Sequence, residues 1–373
     1  MSARLMDVIA SETCGKIYRT GKYGLDNSEL NEYSSVWEKS AESSPRSKYV
    51  NLLPLSKKLA SSGEQILTYF LDGSRRVFKA GEIAYEHSGG RRVIYPIIAG
   101  QVSTGCCRRT NKRLFPEISK YEIVAALPDI ADPDGIPGFF PNVAAKLTLS
   151  PLMKRVKLEV SAVLTYSTAK DFRNTSYDDK GTAAIQSRMI EGEKSITEAL
   201  IKKLNHKNYL VKDGSLEYRK KSQLPTQNYR WVIGLSKSFN PSACFYHGKE
   251  NPGYIADLPE GHRTEAACFS KPEILGDAKF AVWYIRLHDR IYTRSAFDGV
   301  VKVEKMLVTQ SEREQGIINS DEIDTLSAYI LNERCPVCYG NDARWANHIY
   351  PIYLTEQYIK SKYISTEAFL HLF

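Results

Sequence analysis

Two apolar runs in this chain stop at the same tripeptide: Ile66–Leu71 at Asp72-Gly73-Ser74, and Tyr209–Lys212 at Asp213-Gly214-Ser215. An aspartate that ends a buried strand places its carboxylate in the crevice beyond the sheet, where α/β folds bind ligands. The glycine lets the backbone turn and keeps the approach to the carboxylate clear. Asp-Gly is also the commonest hairpin signal, so either tripeptide alone reads first as a turn. Its repetition after two separate hydrophobic strands points instead to a pair of site carboxylates.

A third carboxylate comes from the segment before the second tripeptide. Ile185, Met189, Ile196, Leu200 and Leu204 form an apolar stripe at helical spacing. At about 100° per residue, Glu193 falls within that stripe beside Met189 and Ile196, and Glu191 points roughly the opposite way. A glutamate on a packing face is costly unless a cation or a donor compensates it. The competing reading puts Glu193 at the stripe's edge, reaching water. Asp72, Glu193 and Asp213 together supply the oxygen donors that Mg²⁺ or Mn²⁺ requires. A pair of such ions on shared carboxylates can activate a water and stabilise the leaving oxygen of a phosphodiester. Lys237 follows the run Trp231–Ser236, and its ammonium could neutralise a scissile phosphate or simply sit in water at a strand end.

The elements that must position these groups read as a mixed α/β chain. Residues 1–50 are polar and Ser/Glu-rich, with helical periodicity at Leu5–Ile9 and Leu30–Trp37, and read as a helical arm or cap ahead of one domain over 51–373. Strand-like runs follow at Val77–Tyr85, Arg92–Ser103 and Ile118–Ala126; residues 132–142 read as a loop and Lys146–Tyr166 as paired strands. A helix over Thr182–Leu204 precedes strands at Tyr209–Lys212 and Trp231–Leu235. A polar loop over 240–271, a strand at Phe280–Leu287, and helices over Asp321–Leu331 and Leu354–Phe373 complete the chain. Early strands giving way to alternation with helices imply a mixed sheet with helices packed against it.

The chain has 373 residues and a formal net charge of +8, a mild basic excess gathered at Arg75–Arg76, Arg91–Arg92, Arg108–Arg113, Lys154–Lys157 and Arg219–Lys221. Such clusters suit a polyanion, or a plain solvated surface. Seven scattered cysteines, an odd count, read as reduced thiols rather than a disulfide framework. Cys335 and Cys338 form a lone CxxC, so a structural zinc would need distant ligands. No apolar run approaches the roughly 18 residues of a membrane span, and no signal-peptide core opens the chain, so a soluble cytoplasmic protein is expected. No GxxxxGK[ST] stretch occurs, so any ATP-driven movement must come from another polypeptide.

The ordered series Leu71-Asp72-Gly73-Ser74-Arg75, a helical glutamate, Val211-Lys212-Asp213-Gly214-Ser215-Leu216 and Val232-Ile233-Gly234-Leu235-Ser236-Lys237 resembles the NurA nucleases. Trp283–Leu287 and Val300–Glu304 resemble that family's late strands, and Tyr350-Pro351-Ile352-Tyr353-Leu354 its closing block, so the likeness runs from about residue 65 to 363. The resemblance implies an RNase H-like fold, a homodimer with a central DNA channel, and a Mn²⁺- or Mg²⁺-dependent nuclease. It also implies a HerA-type hexameric ATPase as partner, in DNA end processing or defence against foreign DNA. Carried over by position, Asp72, Glu193 and Asp213 are metal ligands, and Lys237 and Tyr350 are supporting residues. The family's spacing leaves Glu191 open beside Glu193. Four residues after the closing leucine, where the family often has His or Asp, this chain has Tyr358. His348 could supply the missing donor, or be a hydrogen-bonded core histidine. The alternative function is a catalytically inactive DNA clamp of the same kind of ATPase complex. Another RNase H-like enzyme with separate guide-binding domains has little space in 373 residues.

Overall fold

The structure, a computed structural model, describes residues 5–373 except 19–22, 25–35, 45, 87–89, 171–174, 217–225, 241–244, 247–248, 271–277, 294 and 336–344. Of the residues singled out above, Cys338, Arg219–Lys221 and the first part of Leu30–Trp37 lie outside the described set, as does Cys244 among the seven cysteines. The N-terminal part holds α1 (Leu5–Thr13), β1 (Lys16–Tyr18), β2 (Tyr23–Gly24), β3 (Val36–Ser40), β4 (Tyr49–Asn51) and α2 (Leu53–Ser62). Leu5–Ile9 of the expected helical periodicity is helix, and of Leu30–Trp37 only the last two residues are described. Val36 and Trp37 belong to β3, which pairs with a late strand, so tertiary pairing overrides a weak local pattern there.

Three long strands follow: β5 (Leu67–Glu86), β6 (Arg92–Thr110) and β7 (Arg113–Pro128). They make a continuous antiparallel meander whose second hairpin closes on Asn111 and Lys112, both at positive φ. Next come α3 (Phe139–Thr148), α4 (Pro151–Val156) and β8 (Ala162–Tyr166). The expected strand pair over Lys146–Tyr166 is thus half helical. Ser150 caps Met153 N and Pro151 occupies the first turn, a start signal that a short apolar run conceals.

The long helix α5 (Tyr177–Leu200) begins at Ser176, whose side chain accepts from Asp179 N, with Asp178 and Asp179 favouring the positive helix end. After it come β9 (Tyr209–Asp213), β10 (Val232–Ser236), the small pair β11 (Phe245–Tyr246) and β12 (Lys249–Glu250), and α6 (Pro252–Ala256). The rest is β13 (His262–Thr264), β14 (Ala267–Ser270), β15 (Lys279–Arg286), β16 (Val300–Leu307), α7 (Gln310–Gln315), α8 (Ser320–Asn332), α9 (Tyr350–Lys360) and α10 (Thr366–Leu370). The expected polar loop over 240–271 therefore carries strands. Its polar look has a cause: Arg263 is fully buried because Glu42 and Asp324 clamp it at 2.6 Å and 2.5 Å.

One mixed sheet runs through the described residues in the order β3-β14-β15-β16-β10-β9-β5-β6-β7-β8. The pairs β10–β9, β9–β5 and β7–β8 are parallel, and the others along this path antiparallel. Helices flank both faces. On one, Ile196 and Leu200 of α5 pack with Tyr69, Leu71, Leu210 and Val232. On the other, Ile323, Leu326 and Ile330 of α8 and Ile352 of α9 pack with Phe70, Val211, Ile233 and Leu235. The alternation along β5 and β9 thus assigns odd and even positions to opposite helical layers. No helix among the described residues is long and apolar enough to cross a membrane.

Candidate active site

The ladder between β5 and β9 ends at Leu71↔Lys212. Among the described strands, that side of β5 is next met by β2, at Phe78 and Lys79. Asp72 and Asp213 are therefore the neighbouring residues at the point where the parallel pair comes apart. Asp213 does end its strand, and Gly214 turns the chain at φ +85°. Asp72 does not: β5 continues straight through Asp72, Gly73 and Ser74, which pair with Gly105, Thr104 and Ser103 of β6. The expected turn after Leu71 is absent because the β6 partner holds the backbone extended.

Gly73 has a different use. A Cβ there would lie 2.6 Å from Glu193 Oε1 and 3.0 Å from Met189. The missing side chain is the space that α5 uses to bring a carboxylate against the sheet. Gly73→Ala should leave the backbone unstrained, since its φ is not positive, yet cost about 1–3 kcal/mol of stability by overpacking. Urea denaturation would show it; an unchanged midpoint would mean that Glu193 does not need the gap.

Alternation then sorts the acids. Gly105, opposite Asp72, faces Ile359 of α9, whereas Thr104, opposite Gly73, faces Gly192 of α5. Asp72 thus lies on the α9 side and Glu193 on the α5 side. Glu193 is 3% exposed and is held by Lys212 Nζ at 3.0 Å; Lys212 also donates to the Asp213 carbonyl at 2.9 Å. Glu191 is mostly exposed and faces Arg188 at 3.6 Å. Burial pushes Glu193 upward, with Lys212 restraining it. Burial opposes the charge on Lys212 too, but Glu193 outweighs it and its pKa is raised.

On the α9 side, Lys237 Nζ lies 2.9 Å from Asp213 Oδ2 and 3.2 Å from Glu356 Oε2. Asn347 Nδ2 donates to the Lys237 carbonyl at 2.8 Å and fixes its backbone. Glu356 also takes Lys360 at 2.6 Å. Burial works against its charge, but Lys237 and then Lys360 bring its pKa down to about 2. Asp72 is 4% exposed, and burial followed by the charge of Asp213 raises its pKa well above the usual carboxylate range. Its Oδ1 accepts from Gly73 N at 2.8 Å, while Asp72 Oδ2 and Asp213 Oδ1 are buried without a hydrogen-bond partner among the described residues.

A shell of polar contacts holds the end of β9. Glu304 of β16 accepts from Ser215 Oγ at 2.8 Å and Leu216 N at 2.7 Å, and pairs with Lys302 at 2.8 Å. Burial would raise Glu304, but Lys302 and these donors prevail, and its pKa is depressed. A depressed carboxylate contributes stability above the ordinary range, and the contribution is lost as pH falls through the folded pKa. Glu304→Gln should therefore destabilise the protein by about 3–5 kcal/mol at neutral pH, the usual effect of breaking a buried pair. The gap from wild type, measured by denaturation, should narrow on acidification; a gap constant with pH would contradict this role.

The remaining expected residues lie on α9 or just before it. Tyr350 is on the first turn of α9 and 40% exposed, its backbone N–H donating to Glu333 O. His348 is 2% exposed, with its backbone bonded to Trp345 and Cys335 and its ring 5.8 Å from Tyr353. Tyr358 meets Ser119 Oγ at 3.0 Å. The acid that α9 delivers is Glu356, which the sequence reading did not single out. Its signal was present: Pro351, Ile352, Thr355 and Ile359 form the buried stripe of α9, and Glu356 lies within it. Cys14, Cys106, Cys107, Cys268 and Cys335 are free thiols.

The donor chemistry here, hard carboxylate oxygens with two of them buried and unpartnered, fits a divalent cation. As the side chains stand, no group of three or more His, Cys, Asp or Glu among the described residues is arranged to hold one.

The fold is thus a large mixed sheet flanked by helices, with a carboxylate–lysine cluster where two parallel strands separate. No protein-family model matches the chain, and neither does any curated protein sequence. Among solved structures it is similar to the NurA nuclease from Sulfolobus solfataricus, with 12% identity over 83% of this chain and 86% of that one, and a TM-score of 0.38. At that level of likeness the side chains, not the neighbour, carry the functional reading.

Proposed function

We propose that the chain is a divalent-metal-dependent deoxyribonuclease of the NurA kind, with an RNase H-like core, Asp72 and Asp213 as metal ligands, and Glu193 supporting them from the other face of the sheet. The observation that carries this reading is the pair of buried oxygens, Asp72 Oδ2 and Asp213 Oδ1, that have no hydrogen-bond partner among the described residues, in a cluster with more carboxylates than lysines. Burying charge without compensation costs several kcal/mol, so a fold retains such a group where a cation is to be bound. A catalytically inactive DNA clamp would have no use for these oxygens, which weighs against that alternative.

A Mn²⁺ or Mg²⁺ ion, or a pair of them, would supply an acidified water and charge for the leaving oxygen. Asp72 and Asp213 would bind it. Lys212 joins Glu193 to the backbone carbonyl of Asp213, so that Glu193 would help to hold the end of β9 in place. Lys237 can offer its ammonium to a phosphate oxygen. Tyr350 and His348 remain candidate supporting residues at the start of α9. DNA would be held by its backbone: Arg91, Arg92, Arg108, Lys112, Arg113, Lys154 and Lys157 are all exposed. Homodimerisation around a channel, a HerA-like hexameric ATPase as motor, a cytoplasmic location and a role in end processing or defence complete the proposal.

The test is degradation of end-labelled linear DNA with and without Mn²⁺, alone and with the candidate ATPase and ATP. Cleavage should require the metal and become processive only with the ATPase, and DNA affinity should fall steeply with salt and show little sequence preference. No cleavage under any of these conditions would remove the nuclease reading.

A further inference from the structure

We infer that Lys237 is a built-in counter-cation occupying the place of a divalent ion, and that Glu356, once Lys237 swings away, is the third carboxylate of the loaded site. This rests on the reading of Asp72 and Asp213 as metal ligands.

Four elements converge on one face of the sheet: β5 brings Asp72, β9 brings Asp213, the residue after β10 is Lys237, and α9 brings Glu356. Glu193, the third acid expected from sequence, is engaged with Lys212 on the opposite face. On this face the third acid is therefore Glu356, whose side chain is 11% exposed and shares the Lys237 ammonium with Asp213.

The lysine serves the cluster incompletely. Its single charge meets Asp213 Oδ2 and Glu356 Oε2, while Asp72 Oδ2 and Asp213 Oδ1 stay buried with no hydrogen-bond partner among the described residues. Lys360 adds a second positive charge only to Glu356, from a position 38% exposed. A divalent ion carries twice the charge of an ammonium and takes several oxygens at once, so it matches the two unpartnered oxygens where the lysine does not.

The exchange needs only a side chain to move. Asn347 pins the Lys237 backbone, and the four-carbon stem can carry the ammonium outward. Loading the ion would free Lys237 for the anionic substrate, so the lysine guards the site while it is empty and meets the phosphate once it is filled. Competition between lysine and ion should lower the apparent metal affinity.

Mn²⁺ binding to the full-length protein, followed by the electron paramagnetic resonance of free Mn²⁺ and by thermal melting, tests this. Lys237→Met should bind Mn²⁺ at least about tenfold more tightly than wild type, and Glu356→Gln at least about tenfold more weakly. Mn²⁺ should also raise the melting temperature of Lys237→Met more than that of wild type. Equal or weaker binding by Lys237→Met overturns the inference. Equal or tighter binding by Glu356→Gln overturns it independently, and decides the matter if Lys237→Met does not fold. Asp72→Ala separates the two levels: lost binding there with unaltered Lys237→Met affinity sinks only the lysine exchange, whereas no binding by any form sinks the metal site with it.

Discussion

Asp72→Ala and Asp213→Ala are each expected to reduce metal-dependent DNA cleavage by roughly 10³-fold, the scale of losing a group that stabilises charge in a transition state. Both side chains sit where β5 and β9 part, and each keeps a buried oxygen with no partner. Neither substitution should unfold the chain. Asp72 is paired through its backbone to β6 along a ladder that does not depend on its carboxylate, and burial disfavours the charged form of that carboxylate. Asp213→Ala removes one of the two acceptors of Lys237, leaving Glu356 to hold it. Initial rates on end-labelled duplex, together with circular dichroism, check both. A variant that cuts at the wild-type rate would show the assignment of that aspartate to be mistaken.

The second large effect separates two glutamates on one helix. Glu193→Gln should lose about 10²-fold in activity, in the range seen when a residue that orients a metal ligand is changed, and Glu191→Gln should stay within about twofold of wild type. Glu193 is buried over Gly73 and bound to Lys212, which in turn holds the Asp213 carbonyl; neutralising it leaves a buried ammonium with one acceptor fewer. Glu191 lies in solvent beside Arg188. The paired assay has a clear contrary outcome, a silent Glu193 and a crippled Glu191, which would require α5 to be rotated from its observed phase.

How far these residues were legible differed with the physics behind each. Glu193 follows from helical phase, because the stripe through Ile185, Ile196 and Leu200 leaves one inward place for it. Asp213 follows from a strand that ends at a glycine with positive φ. Asp72 was legible as a residue but not as a strand end: the tripeptide is the same, but only β6 decides that the chain runs on, and that partner is not local. Its glycine answers to a helix more than 100 positions away in sequence. Glu356 escaped notice because a Thr-Glu-Gln stretch reads as an exposed helix face until Ile352 and Ile359 are seen to bracket it. The strands β13 and β14 were hidden by buried polar residues such as Arg263, Thr264 and Ser270, whose partners are distant. The mixed sheet flanked by helices was legible as an architecture, from the apolar runs of its central strands, but not strand by strand.

The length of β5 has a consequence for how the molecule comes apart. Its first residues pack with β9, α8 and α9, and its last with α1 and the C-terminal Phe369 and Phe373. One unbroken backbone thus links these two hydrophobic cores, and through Tyr69, Leu71 and Val77 two more on the α5 side, with the acidic cluster between them. Neither core can melt without stripping hydrogen bonds from the strand that the other needs. Amide protons along Leu67–Glu86 should accordingly be among the slowest in the molecule to exchange with deuterium, with a single protection level from one end to the other, and the two cores should lose their structure in one cooperative transition.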